Sequence, residues 1–219
     1  MQRRHFLAGL GATALLPRVV YAGSVQDLLD DDAGWTHVSD HASGTVVYTK
    51  DVPSLGIPAF KGVYPLDVDA EALFALICDL EGHIDVSDQL LESQVMFAKG
   101  TISDFYQVMK SPGAFISQRY WLNRSTTLRD HGAPGHHKRR WDALTMDKYS
   151  KVRAVLAENY PDAVLVETTH GSWEVTPTEL TYRTVSHPGG NVPAGVYATL
   201  TGKTMPDNMM NFVNHLKAG

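Results

Sequence analysis

The sequence predicts an α+β domain in which a long C-terminal helix closes one face of a curved antiparallel sheet. Three observations lead to this prediction. Six stretches that alternate between apolar and polar residues follow one another from residue 93 to residue 186. Helical spacing precedes them in residues 69–82 and returns in residues 192–219. At 219 residues, the chain is expected to form one main domain.

The first part of the chain predicts mixed elements. The stretch that begins SVQDLLDDDAG indicates a short helix ending near Gly34, and residues 44–52 and 59–68 alternate like strands. The helix over 69–82 has Asp69 as its candidate N-cap and Gly82 as its stop signal. Residues 86–94 indicate a second short helix or a turn that leads into the sheet.

The second part predicts a run of strands and then the closing helix. The terminal helix carries an apolar stripe that Gly202 and Pro206 interrupt upstream, and the stripe consists of Met209, Met210, Phe212, Val213 and Leu216. The six predicted strands are residues 93–98, 101–109, 117–127, 138–147, 163–175 and 179–186.

The N-terminus has the features of an export signal. Residues 1–22 contain an Arg3-Arg4 pair, an apolar run from Phe6 to Leu16 and small residues near Ala22. The pair indicates the twin-arginine route, while a Sec signal or an uncleaved anchor is the alternative. We therefore expect residues 23–219 to form the mature domain, in the periplasm or outside the cell.

The charge of the mature chain limits its partners. Removing residues 1–22 takes away three arginines and no acid, which leaves 16 basic against 24 acidic residues. A nucleic-acid partner is unexpected because phosphate binding needs a basic face. Long-lived docking on anionic membranes is disfavoured for the same reason. The single cysteine, Cys78, lies in an apolar stretch, and we expect it to be buried and inert.

The chain lacks the sequence motifs of common enzymes. It has no GxSxG, HExxH, CxxC or P-loop pattern, so no catalytic residue and no cofactor is expected. His131, His136 and His137 lie in a Gly- and Pro-containing turn without an acid or thiol at ligand spacing. We expect a solvated loop there and no metal site.

An acid and an arginine occur in two apolar, aromatic stretches that flank a Pro-Gly turn. Alternation in a strand places Asp104, Tyr106 and Val108 on one face, and it likewise places Arg119, Trp121 and Asn123 on one face. If both faces are the concave ones, a carboxylate and a guanidinium point into one aromatic interior. Such a pair is either a buried structural ion pair or a pair that also orients a polar group of a ligand.

Aromatic residues and methionines are frequent in the predicted sheet and in the closing helix. Trp141, Trp173 and Tyr182 and the C-terminal methionines are compatible with an ordinary core. Methionine adapts to irregular partners, so a methionine-rich closing helix slightly favours a pocket that receives varied apolar ligands.

In its order of motifs the sequence resembles the START domains, the lipid-transfer domains related to steroidogenic acute regulatory protein, which have the helix-grip fold. The resemblance covers residues 26–217 and includes the segments VYTK, FKGV, FYQVMKSPGAFISQRYWL and GSWEVTP. Arg119 lies at the place of the family's arginine, and Asp104 at the expected place of its acidic partner. The chain departs from the family pattern at Tyr120, Val86 and His187.

The resemblance implies a monomeric carrier that encloses one lipid, touches membranes transiently and needs no cofactor. Sterol, hopanoid, phospholipid and fatty acyl ligands are all open, and a cyclase- or aromatase-like enzyme on the same fold is the alternative. Residues 148–162, with Val152, Val155 and Leu156, are expected to form a mobile lid. The residues expected to contact the lipid are Asp104, Tyr106, Val108, Arg119, Trp121, Asn123, Trp141, Trp173, Tyr182, Met209, Phe212 and Val213.

Overall fold

The computed structural model of the protein describes residues 24–111, 116–144, 146–190 and 192–219. The expected export signal, residues 1–22, lies outside the described residues, and so does the Pro-Gly turn at residues 112–113. None of the helices in the described ranges is both long and apolar enough to cross a bilayer.

A single curved, open sheet contains the ten strands of the described residues. Nine strands follow the order β1-β2-β3-β10-β9-β7-β6-β5-β4 with antiparallel neighbours, and the two-residue strand β8 runs parallel to the start of β6. The strands are β1 (Thr36–Asp40), β2 (Val46–Val52), β3 (Ile57–Pro65), β4 (Leu90–Lys99), β5 (Ile102–Met109), β6 (Arg119–Leu128), β7 (His137–Ala143), β8 (Val164–Leu165), β9 (Thr168–Val175) and β10 (Glu179–His187).

Within the described residues, five α-helices accompany the sheet, and a 3-10 turn at Met146–Tyr149 precedes the fourth. The α-helices are α1 (Val25–Asp30), α2 (Ala70–Cys78), α3 (His83–Val86), α4 (Ser150–Asn159) and α5 (Ala194–Ala218). The predicted cap of α2 is confirmed, because the Asp69 side chain accepts a hydrogen bond from the Ala72 amide at 2.7 Å. The expected order of helix, strands, helices, antiparallel strands and closing helix is also confirmed.

The helix α5 packs against one face of the sheet, which we call the concave face. There it forms one apolar core with α2 and with β3, β9 and β10. Gly62 of β3 allows this contact, because a Cβ at position 62 would lie only 2.5 Å from the Met209 sulfur. The opposite side of the sheet is called the outer face below.

Two short helices cover separate parts of the outer face. Leu28 and Leu29 of α1 pack on the β2, β3 and β10 side of the sheet. Leu156 of α4 packs on Val108 and Leu122 of β5 and β6. Of the α-helices in the described part of the chain, α5 and its partners α2 and α3 lie on the concave side.

Some predicted elements need correction. β1 was not predicted, because every residue in it is exposed and the strand has no apolar alternation. α5 continues through Gly202 and Pro206, and buried Met205 extends the apolar stripe past the predicted interruption. His137 is not in a solvated loop: it begins β7, is buried, and lies 2.5 Å from a Glu71 carboxylate oxygen.

Candidate functional site

The register between β5 and β6 decides which side chains share a face. Asp104 lies opposite Arg124 in this antiparallel pair, and Met109 lies opposite Arg119. Residues directly opposite each other point to the same face, and neighbours along a strand alternate. Asp104 and Arg119 therefore point to opposite faces, and the prediction that they meet in one interior is wrong.

Asp104 forms its ion pairs on the outer face. Its fully buried carboxylate accepts two hydrogen bonds from Arg124, at 2.6 and 2.8 Å. It also accepts from Lys148 at 3.0 Å and from the Tyr149 hydroxyl at 2.6 Å. Burial by itself would raise the pKa of Asp104, but these hydrogen bonds outweigh burial and hold the pKa well below its usual range. The acid thus ties the start of α4 to the sheet.

Tyr106 and Val108 share the outer face with Asp104. Glu92 accepts hydrogen bonds from the Tyr106 hydroxyl and, at 3.0 Å, from Tyr160 just after α4. Asp104 of β5 therefore holds the start of α4, and Glu92 of β4 holds its end. Asp104, Tyr106 and Val108 therefore do not lie on the face on which α5 packs.

The predicted lid residues also lie on the outer face. Val152 and Leu156 pack on the apolar cluster of β5 and β6, while Val155 is 53% exposed. A helix in this position covers the side of the sheet opposite α5. The prediction that α4 closes a site on the concave face is therefore wrong.

Arg119 lies on the concave face near the start of α5. It is only 6% exposed, and its guanidinium donates to the carbonyls of Pro188, at 3.1 Å, and of Ser117. Among the described residues no carboxylate forms an ion pair with it. Burial lowers the pKa of Arg119. Arg119 thus joins the start of β6 to the turn that precedes α5.

An aromatic row runs across the concave face. Tyr182 stacks on Trp173 with ring centres 4.0 Å apart and on Trp141 at 5.8 Å, and Trp173 contacts Phe212 of α5 at 5.2 Å. Met209 and Val213 are fully buried in the same core. The structure therefore brings together six of the residues predicted to contact a lipid.

Tyr182 is surrounded by protein but is not close-packed. Enclosure by neighbouring atoms raises the pKa of its hydroxyl to about 12. Part of its surface nevertheless remains accessible, as does part of the surface of Trp141 and Trp121 on the same face. Partly accessible aromatic side chains therefore line the concave face.

A group of polar side chains lies beside this row and was not predicted. Gln107 of β5 accepts from the Trp121 indole at 3.2 Å and donates to His83 at 3.1 Å and to Ser93 at 3.0 Å. His83 in turn bonds the Ile77 carbonyl at 3.1 Å, which fixes its tautomer. Gln107 was visible in the sequence as an amide at a strand position of the same parity as Phe105, but its partners come from distant elements.

Arg139 of β7 is a second buried arginine on the concave face. It donates to the Ile77 carbonyl near the end of α2 at 2.9 Å and to the Ser125 hydroxyl at 2.8 Å. The guanidinium also lies 5.8 Å from the centre of the Phe105 ring. A cation near a helix C-terminus is favourable, which gives Arg139 a structural role.

We predict that Arg124, and not Arg119, holds the buried carboxylate. Arg124→Leu leaves a buried Asp104 with two donors only and should lower the free energy of unfolding by about 3 kcal/mol. Arg119→Leu loses bonds to carbonyls alone and should cost about 1 kcal/mol. Urea unfolding of both variants measures the difference. A larger loss for Arg119→Leu would contradict the assignment.

We also predict an acid-sensitive stability that depends on His83. Burial, and after it the charge of Arg139, lowers the pKa of His83 to about 4. The unfolded chain, with a histidine pKa of about 6.5, binds more protons between these values. The free energy of unfolding should therefore fall as the pH drops from about 6.5 to about 4, by about 3 kcal/mol in total.

Urea unfolding across this pH range tests the prediction. His83→Gln should flatten the pH dependence, whereas His131→Gln, at an exposed position, should leave it unchanged. An unaltered slope in His83→Gln would show that other groups cause the acid sensitivity.

Comparison with known proteins identifies the fold. No family model and no curated protein matches the sequence. Among solved structures, a STAR-related lipid transfer protein from Xanthomonas axonopodis is 20% identical, with a TM-score of 0.64 over 84% of this chain and 97% of the other. Human STARD10 is 15% identical, with a TM-score of 0.70 over 85% of this chain and 74% of the other.

Human StAR-related lipid transfer protein 5 is also 15% identical, with a TM-score of 0.69 over 88% of this chain and 92% of the other. Aromatase/cyclase structures match with TM-scores below 0.5, a likeness that carries no argument about activity. At these identities the comparisons establish the architecture. The chain has the helix-grip fold of START-like lipid-transfer domains.

Proposed function

We propose that this chain is a periplasmic or secreted lipid-binding and lipid-transfer protein that encloses one hydrophobic ligand between the concave face and α5. The observation that carries the proposal is the aromatic row, in which Tyr182 is surrounded by protein and still partly accessible. An apolar interior with internal space is the environment that an enclosed lipid needs.

The composition of this interior supports an apolar ligand body. Large aromatic side chains line β7, β9 and β10, and α5 adds Met205 and Met209. Each methylene group that moves from water into such an interior contributes about 0.8 kcal/mol. A single alkyl chain therefore provides sufficient binding energy without an ion pair. The solved structures that share the fold are described as lipid transfer proteins, which agrees with this proposal.

The N-terminal sequence supports the proposed location. Residues 1–22 have the arginine pair, the apolar run and the small residues of an export signal. A carrier outside the cytoplasm would act as a monomer that touches donor and acceptor membranes transiently. The net negative charge of the mature chain is consistent with short contacts.

An enzyme of the cyclase or aromatase type remains the alternative function. Such an enzyme would use the same interior for a polyketide-like substrate. Catalysis there would need polar groups close to Arg119, and the geometry favours the carrier because Asp104 and Tyr106 lie on the outer face.

We predict that delipidated protein binds one lipid beside the concave-face tryptophans. Lipids brominated in mid-chain quench tryptophan at short range, and a fatty acid, a fatty alcohol and a diacyl phospholipid form a suitable panel. Quenching should saturate at one lipid per chain. Trp121→Phe should lose part of it, whereas Trp35→Phe should retain it, because Trp35 lies on the outer face beside Lys61.

Native mass spectrometry of the protein purified from cells should in addition show one co-purified lipid. Folded, delipidated protein that shows no saturable quenching with any of the three lipids would overturn the carrier function. Conversion of a polyketide-like substrate would favour the enzyme instead.

We predict that export depends on the arginine pair. Changing Arg3 and Arg4 to Lys should stop translocation, because the twin-arginine route reads both residues. Immunoblots of periplasmic fractions measure the outcome. Mature protein in the periplasm of a strain that lacks this translocon would contradict the route, and retention of the wild type in the cytoplasm would contradict the location.

A further inference from the structure

Asn123 is a buried amide without a hydrogen-bond partner. It lies in the middle of β6 and is only 2% exposed. Its Oδ1 is fully buried and accepts no hydrogen bond, and Nδ2 donates to none of the described residues. Buried polar groups in folded proteins are almost always paired, so an unpaired one requires an explanation.

The position of Asn123 connects it with the proposed ligand site. It lies on the concave face, two residues from Trp121, and opposite Phe105 and Ala143 on the neighbouring strands. Trp121 is partly accessible on this face, so the amide lies beside a side chain that the protein does not fully cover. A ligand that packs against Trp121 would lie next to this amide.

A second buried amide on the same face shows what a structural role looks like. Gln107 has partners for both of its polar atoms, namely the Trp121 indole for the oxygen and His83 and Ser93 for the nitrogen. The fold therefore satisfies Gln107 by itself and leaves Asn123 unsatisfied. The buried Gln26 on the outer face also has an unpaired oxygen, but its nitrogen donates to the Trp141 carbonyl and to Asp142. Asn123 differs from both amides, because neither of its polar atoms has a partner among the described residues.

The chemistry of the amide restricts the missing partner. A carboxamide offers one acceptor and two donor hydrogens, and rotating it by half a turn exchanges the atoms without changing this requirement. A hydroxyl group both donates and accepts, so it meets the amide in either orientation. An ether, an ester or an ionised carboxylate has no hydrogen to donate to Oδ1.

The two buried arginines on the concave face donate to other groups. Arg139 is engaged by the Ile77 carbonyl and by Ser125. Arg119 lies four residues away along β6, which is about 13 Å in an extended strand. Neither guanidinium donates to Asn123. An ionised carboxylate at this position would still leave Oδ1 without a donor, so a neutral hydroxyl fits it better.

We propose, building on the lipid-carrier function above, that Asn123 binds the polar end of the ligand and that this end is a neutral hydroxyl group. The ligand class is then a lipid alcohol, such as a long-chain alcohol or a polycyclic alcohol. Lipids whose polar end is fully esterified, etherified or ionised bind less tightly, because they leave the buried Oδ1 without a donor.

Two probes that differ by one hydrogen-bond donor test the proposal. Stearyl alcohol and its methyl ether, both dibrominated in mid-chain, are titrated into delipidated protein while tryptophan quenching is followed. The wild type should bind the alcohol about 5- to 150-fold more tightly than the ether, the range for one unmet buried hydrogen bond.

Asn123→Leu removes both polar atoms at similar volume and should abolish the difference by weakening the alcohol alone. Gln94→Leu makes the same chemical change at an exposed outer-face position of β4 and should leave the preference intact. The melting temperature of ligand-free Asn123→Leu should not fall, because no hydrogen bond is lost.

The outcomes separate this proposal from the carrier function. Equal affinity of the wild type for alcohol and ether would overturn the role of Asn123, by showing that water satisfies the amide, and would leave the carrier function standing. A preference that survives in Asn123→Leu would also overturn it, because another residue would then read the hydroxyl. Absence of saturable quenching by either probe and by the lipid panel would overturn both.

Discussion

The pairing register of β5 and β6 is the constraint on which the arrangement of the candidate site depends. In an antiparallel pair, a slip of one residue moves every side chain to the opposite face. The observed register places Asp104 opposite Arg124 and so sends the acid to the outer face. Arg119, Trp121 and Asn123 then remain on the concave face without a carboxylate among them. The polarity of the interior follows from this one alignment.

The same sheet consequently has two faces of very different chemistry. On the outer face, ion pairs join the short helices to the sheet: Lys138 of β7 lies 2.6 Å from Asp30 at the end of α1, and Asp104 of β5 pairs with Arg124 and with Lys148 just before α4. On the concave face, aromatic rings and methionines dominate, and the buried arginines bond carbonyls and a hydroxyl. Charge pairs therefore fasten α1 and α4, whereas apolar packing holds α5.

This division bears on how an apolar ligand would be held. An ion pair within the interior would have to be desolvated, and its net contribution is often small. Hydrogen bonds among neutral groups, as in the Gln107, His83 and Trp121 group, avoid that cost and still fix the side chains that line the space. Asn123 lies on the same face as Gln107 but has no hydrogen-bond partner among the described residues. The protein thus pairs the polar atoms of Gln107 itself, whereas the amide of Asn123 is the group that we propose to bind the ligand.

The sequence by itself determined the elements of this fold, because their signals are local. Alternation marked the strands that became β2 to β7, β9 and β10, helical spacing marked α2 and α5, and Asp69 marked the start of α2. Trp141, Trp173, Tyr182 and Phe212 were expected to line one interior, and the structure brings them together in the aromatic row. Fully exposed β1 has no such signal and was missed, and the strand predicted over residues 163–175 is divided into β8 and β9.

Only the tertiary structure decided which residues meet. Alternation within one strand tells which of its side chains share a face, but not which face of the neighbouring strand they share. The pairing register decides this, and it places Asp104 and Arg119 on opposite faces, with α4 on the outer face. Gln107 and Asn123 look alike in the sequence, as amides within apolar strands. One is satisfied by His83 and Ser93, which come from other elements, and the other is not. Partners contributed across the sheet are a property of the packed chain, and no local pattern encodes them.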